Sequence, residues 1–65
     1  MIVTLQDAVA LGYCRRGCRE FADRHGLDWE RFRHEGLDSS EFEQIDDAMS
    51  QAFLEQAKSR LETQQ

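Results

Sequence analysis

The sequence predicts a small all-α domain of three to four helices, with a helix-turn-helix-like hairpin at the N-terminus and a long C-terminal helix. Three observations predict it. The 65 residues include no proline and few β-branched side chains, which favours helix over sheet. Apolar residues recur at helical spacing in the second and last segments. Helix-stop and helix-start signals punctuate the chain at regular places.

The first helix is expected over residues 5–11. Thr4 and Asp7 resemble a capping box with aspartate in place of glutamate. Gly12 then supplies the left-handed residue after the cap. The second helix is expected over residues 14–25, with Cys14, Cys18, Phe21, Ala22 and His25 as its apolar stripe. Gly17 interrupts that stripe and is read as a point of close helix–helix approach.

Gly26 ends the second helix, Leu27 folds back on Ala22, and Asp28 caps the next helix with Leu27 and Phe32 as a hydrophobic staple. The device returns ten residues later, where Gly36-Leu37-Asp38 with Phe42 matches Gly26-Leu27-Asp28 with Phe32. It predicts a short helix over Trp29–His34 and a final helix over residues 39–60. That helix carries Phe42, Ile45, Met49, Ala52 and Phe53 on one face. Residues 1–3 are an N-terminal arm, and residues 62–65 a fraying tail. The expected core is Leu5, Ala8, Val9, Leu11, Tyr13, Cys18, Phe21, Ala22, Leu27, Phe32, Leu37, Phe42, Ile45, Met49 and Phe53.

The chain is one domain at most, and a core this small leaves little room for a deep pocket. Its net charge of −5 is unevenly placed. Up to His34 there are six arginines against five acids, and beyond it eight acids against Lys58 and Arg60. A net acidic chain does not adhere generally to nucleic acid or anionic membrane, but the arginine-bearing half can do so locally. Met1-Ile2-Val3-Thr4 lacks the features of a signal peptide, no apolar run approaches a membrane span, and two cysteines are too few for a secreted framework. The expected location is the cytoplasm.

Cys14, Cys18, His25 and His34 combine residue types that zinc favours, but their spacing matches no common zinc pattern, and buried cysteine is an ordinary small hydrophobe. No metal or other cofactor is expected. Cys14, Ser39 and Ser40 are nucleophiles that no motif ties to a base, so no enzyme is expected. Glu41, Glu43, Asp46 and Asp47 fall in the first turns of the expected last helix. There negative charge is stabilising, with Lys58 and Arg60 at its other end.

The Thr4–Phe21 stretch fits a helix-turn-helix unit, with Ala8 in the first helix, Gly12 in the turn and apolar Leu11, Tyr13, Cys18 and Phe21 around them. Arg15, Arg16 and Arg19 then lie near the exposed start of the second helix, where such motifs read the major groove. In this it is similar to the excisionase and mercury-regulator type of helix-turn-helix, although no wing is recognisable.

Gly12-Tyr13-Cys14, Arg16-Gly17, Phe21, Arg24-His25-Gly26-Leu27-Asp28-Trp29, Phe32, Gly36 and Asp47-Ala48-Met49 resemble a group of short proteins of bacterial prophages and tailed phages whose function is not established. The resemblance runs from about Val3 to Met49 and brings no catalytic residues. It implies a phage origin, and with it assembly, host manipulation or regulation. The leading expectation is therefore a non-enzymatic protein-interaction module, acting in virion assembly or binding a host protein, in the bacterial cytoplasm or on the virion. Trp29, Phe53, Leu54 and Leu61 are its expected contact surface, for a phage or host partner or a homodimer. The alternative is an excisionase-like DNA-binding regulator using Arg15, Arg16 and Arg19.

Overall fold

In a computed structural model, residues 1–63 are described as β1 (Ile2–Val3), α1 (Leu5–Ala10), α2 (Arg15–Arg24), α3 (Trp29–His34), β2 (Leu37–Asp38), α4 (Ser39–Glu43) and α5 (Ala48–Thr63). The fold is mostly helical, but it is not strictly all-α. The expected N-terminal arm is the first strand of a small antiparallel sheet, pairing Ile2 with Asp38 and Val3 with Leu37. Val3 and Leu37 are both buried, so this short pairing anchors the chain start to the core. Ser39 extends it by donating its N–H to the Met1 carbonyl at 2.8 Å.

Gly36 makes the pairing possible. It has φ +85°, and a Cβ there would stand 2.7 Å from Ile2 Cγ2 and 2.8 Å from the Val3 carbonyl oxygen. Only glycine meets both conditions without strain.

The helix ends follow the sequence closely. Thr4 donates its backbone N–H to Asp7 Oδ2 at 2.9 Å, holding the start of α1. At its other end Gly12 and Tyr13 donate to the carbonyls of Val9 (2.9 Å) and Ala8 (3.1 Å), the paired bonds of a Schellman stop. Leu27 closes α2 in the same way, donating to the Ala22 carbonyl at 2.8 Å. Asp28 accepts the Arg31 N–H at 3.2 Å to start α3, and Asp38 accepts the Ser40 N–H at 3.0 Å to start α4. The repeated Gly-Leu-Asp device thus stops one helix and starts the next at both places.

The single long final helix is instead broken in two. After α4 the chain turns through residues 44–47, and Asp47 starts α5 by accepting the Met49 N–H at 2.8 Å. Buried Ser50 donates its hydroxyl to the Phe42 carbonyl at 2.7 Å, a second bond beside the Ile45 N–H at 3.1 Å that replaces the regular helical pairing of that carbonyl. The acids therefore divide: Glu41 lies in the first turn of α4, Asp46 in the connection, and Asp47 at the cap of α5. Helix α5 runs on to Thr63, so Glu62 and Thr63 of the expected fraying tail are helical, and residues 64–65 lie outside the described residues.

The core centres on Phe53. Its ring lies 5.4 Å from those of Tyr13 and Phe21, 5.9 Å from Phe42 and 6.3 Å from Phe32, the spacing of interlocked aromatic pairs. Leu27, Ile45 and Met49 are half-buried around it. Val9, Leu11 and Tyr13 are not core residues: they are 47%, 39% and 36% exposed at the end of α1 and its turn. Val3 and Ala57 take their place in the core.

One polar contact ties the two ends of the chain together. Asp7 is 1% exposed, and Arg60 meets it with Nε–Oδ1 at 2.8 Å and Nη2–Oδ2 at 3.3 Å. The same guanidinium donates to the Ile2 carbonyl at 2.9 Å. Arg60 was expected to complement the helix dipole; its guanidinium instead neutralises a buried carboxylate on α1.

Candidate functional site

On α2, Cys18, Phe21 and Ala22 face the core, which leaves Arg15, Arg16 and Arg19 on the exposed side. The start of α3 packs beside them. Asp28 fixes that start, and Trp29 follows it half-buried, its ring edge-on to Phe32 at 6.2 Å. Arg33 lies one turn further along the same face. Arg15, Arg16, Arg19, Trp29 and Arg33 together line a hollow of about 290 Å³.

The hollow is electropositive despite the acidity of the whole chain. Arg16 pairs with Glu20 at 3.5 Å and Arg33 with Glu30 at 2.8 Å, both exposed pairs that salt and competing anions readily screen. Among the described residues, Arg15 and Arg19 have no carboxylate within 4 Å. The first turn of α2 also carries no acid, and its N-cap is the Cys14 thiol, which accepts the Gly17 N–H at 3.3 Å. A thiol is a weak acceptor, so it adds no anionic charge at the positive end of the helix. Four guanidinium groups around an indole suit a ligand that is anionic and offers planar faces. Arginine forks match phosphate oxygens, and tryptophan stacks on bases.

The two site readings from sequence fare differently. Arg15, Arg16 and Arg19 come together as expected, and Trp29, assigned to the other surface, joins them. Arg33 was missed, although its spacing of four from Trp29 on one helix was a usable signal. The apolar surface on the last helix is not assembled. Phe53 is 0% exposed at the centre of the core and is out of a partner's reach. Leu54 and Leu61 remain half-buried on α5, two turns apart, with Leu54 on a shallow hollow beside Met1 and Lys58.

The cysteine and histidine residues are dispersed. Cys14 is exposed at the cap and does not belong to the buried stripe, whereas Cys18 is buried. Burial, and secondarily the neighbouring Cys14, pushes the Cys18 thiol up from its ordinary value. His25 lies against Phe21 at 4.6 Å, and His34 is exposed 3.5 Å from Glu30. Among the described residues, no three His, Cys, Asp or Glu side chains group around a common metal position. Gly17 makes no close helix contact either, since a Cβ there would meet only Cys14 Sγ, at 3.5 Å. No helix of the described residues is long and apolar enough to cross a membrane.

Compared with known proteins, the chain matches no family model, no curated protein and no solved structure.

Proposed function

We propose that this chain is a non-enzymatic binding module for duplex DNA, with α2 as the helix that enters the major groove. One observation carries the reading: Arg15, Arg16, Arg19 and Arg33 surround Trp29 on one exposed face. The α1–Gly12–α2 hairpin supports it, because it presents the start of α2 outward as a helix-turn-helix does. A six-residue helix, α3, follows where a β-hairpin wing often stands, and it contributes Trp29 and Arg33. Residues 1–34 carry six arginines against five acids, Glu20 and Asp23 of α2 among them, so the net charge of −5 arises beyond His34 and the local field governs docking. Regulation is one of the three settings, with assembly and host manipulation, that the phage-protein resemblance implies.

The test is a gel-shift titration of duplex DNA at two salt concentrations. Three to four phosphate contacts correspond to a loss of roughly 40- to 150-fold in affinity between about 50 and 200 mM salt. An Arg15→Ala/Arg16→Ala/Arg19→Ala variant that keeps its helical spectrum is expected to abolish the shift. Absence of binding by the unmodified protein at about 50 mM salt defeats the proposal. Tighter binding to single strands than to duplex redirects it to stacking on Trp29.

A second reading rests on a different face. Val9, Leu11 and Tyr13 leave apolar surface open within five residues of chain, and Leu54 and Leu61 add half-buried apolar groups on α5. Such surface suits a protein partner, phage or host, or a second copy of the chain. Val9→Asp with Leu11→Asp is expected to remove any self-association seen by analytical ultracentrifugation. A monomer at all concentrations, with partner capture unaffected by the variant, counts against it.

A further inference from the structure

The Trp29 hollow does not end at Arg15 and Arg33. The same two arginines also line a second hollow of about 360 Å³ on their far side, where α1 begins and α3 ends. Its polar rim includes Thr4, Gln6, His34 and Glu35. Gln6 and His34 are exposed side chains with hydrogen-bonding capacity, on two different helices. The opposing carboxylate at the rim is Glu35, which lies 3.9 Å from Arg31. Arg33 touches Glu30 (2.8 Å) and His34 Nε2 (3.1 Å), and Glu30 can yield to a phosphate because that pair is solvent-exposed.

Two hollows that share two guanidinium groups thus lie on either side of Arg15 and Arg33, one at the start of α2 and one at the start of α1. We infer that one DNA strand passes across both, and that the second hollow holds a backbone phosphodiester between Arg15, Arg33, Gln6 and His34. This rests on the duplex-DNA reading and assigns the second hollow a positioning role: it fixes the backbone so that Arg16 and Arg19 meet base edges. Contacts to phosphate carry no sequence information, so their loss weakens all sequences alike.

Three variants test this by fluorescence anisotropy with two duplexes of unrelated sequence. Gln6→Ala/His34→Ala is expected to weaken both duplexes by a similar factor of about 5 to 10 with little change in salt slope, since neither side chain carries a fixed positive charge. Arg33→Ala is expected to weaken both and reduce the salt slope by about one. Glu35→Gln removes a repelling carboxylate and is expected to tighten both several-fold, a gain that a merely structural role does not produce. Gln6, His34 and Glu35 are exposed, so far-UV dichroism of each variant is expected to match the parent. Unchanged affinity in either the Gln6→Ala/His34→Ala or the Glu35→Gln variant overturns the inference, as does an effect confined to one sequence. If Arg15→Ala/Arg16→Ala/Arg19→Ala still abolishes binding in that case, the DNA reading survives without the second hollow. If the unmodified protein binds neither duplex, both fall together.

Discussion

Arg60→Ala is the substitution whose consequence the structure specifies most fully. Asp7 is 1% exposed and keeps only the Thr4 backbone N–H and hydroxyl, at 2.9 and 3.2 Å, once the guanidinium is gone. Removing one partner of a fully buried ion pair costs about 3–5 kcal/mol, because the other charge is left uncompensated. Arg60 is itself 28% exposed, so water reaches part of the vacated space and screens the carboxylate. That lowers the expected cost to roughly 2–3 kcal/mol, including the lost bond to the Ile2 carbonyl. A 65-residue domain holds about 3–10 kcal/mol in total, so the variant forfeits a large share of its stability. Urea unfolding followed by circular dichroism is the assay. With a slope near 1 kcal/mol/M for so small a chain, the midpoint falls by about 2–3 M. An Asp7→Asn/Arg60→Ala double variant removes the stranded charge and is expected to recover part of the loss. A fall of less than about 0.5 kcal/mol in Arg60→Ala refutes the argument, as does a double variant no better than the single.

Three further outcomes follow from the packing. Gly36→Ala is expected to cost more than Gly12→Ala by 1 kcal/mol or more in the same assay: both glycines have positive φ, but only the Gly36 Cβ meets Ile2 and the Val3 backbone, so equal losses would contradict the close approach. Ser50→Ala leaves the Phe42 carbonyl with the Ile45 N–H at 3.1 Å but without its hydroxyl donor and is expected to cost about 1 kcal/mol, a neutral result showing that the break before α5 does not depend on it. Cys14 is expected to react with a thiol reagent in the native protein while Cys18 reacts only on unfolding. Because the folded Cys18 thiol is raised above its unfolded value, it contributes stability below the unfolded value that is lost as pH climbs through the folded one. Cys18→Ser is expected to flatten that alkaline decline.

The sequence was most informative where physics is local. Gly12, Gly26 and Gly36 each follow a helix, and Asp28 and Asp38 each begin one, because a cap is decided by a handful of neighbouring residues. The strand pair was illegible, since Ile2 and Val3 offer no alternation to read and their partners lie 36 and 34 residues away in the chain. The break before α5 was hidden by Ile45 and Met49, which keep helical spacing across it. Asp47 resembled one more acid in a first turn, and only its bond to the Met49 N–H distinguishes it as a cap. At the site, the arginines of α2 were legible because one helix face carries them. The spacing of four put Arg33 beside Trp29, but that both of them, and Gln6, approach the α2 face was not legible, because it arises from how the helices pack. Phe53 was read both as core and as contact surface, and the aromatic cage around it leaves only the first.

The bond from Asp7 to Arg60 also bears on the order in which the chain assembles. It closes a loop of 53 residues, at an entropic cost of about 3.5 kcal/mol plus a constant, whereas the stops around α1, α2 and α3 close over only a few residues each. The α1–α3 segment, with every residue of the arginine–tryptophan hollow, precedes α5 in the sequence and has its stops and caps within itself. Phe53 and Arg60 of α5 supply the ring that packs on Phe21 and Phe32 and the cation that neutralises Asp7. The rings under the basic face and the carboxylate beside its first helix are thus held by side chains of α5, which ties the order of that face to the last element of the fold.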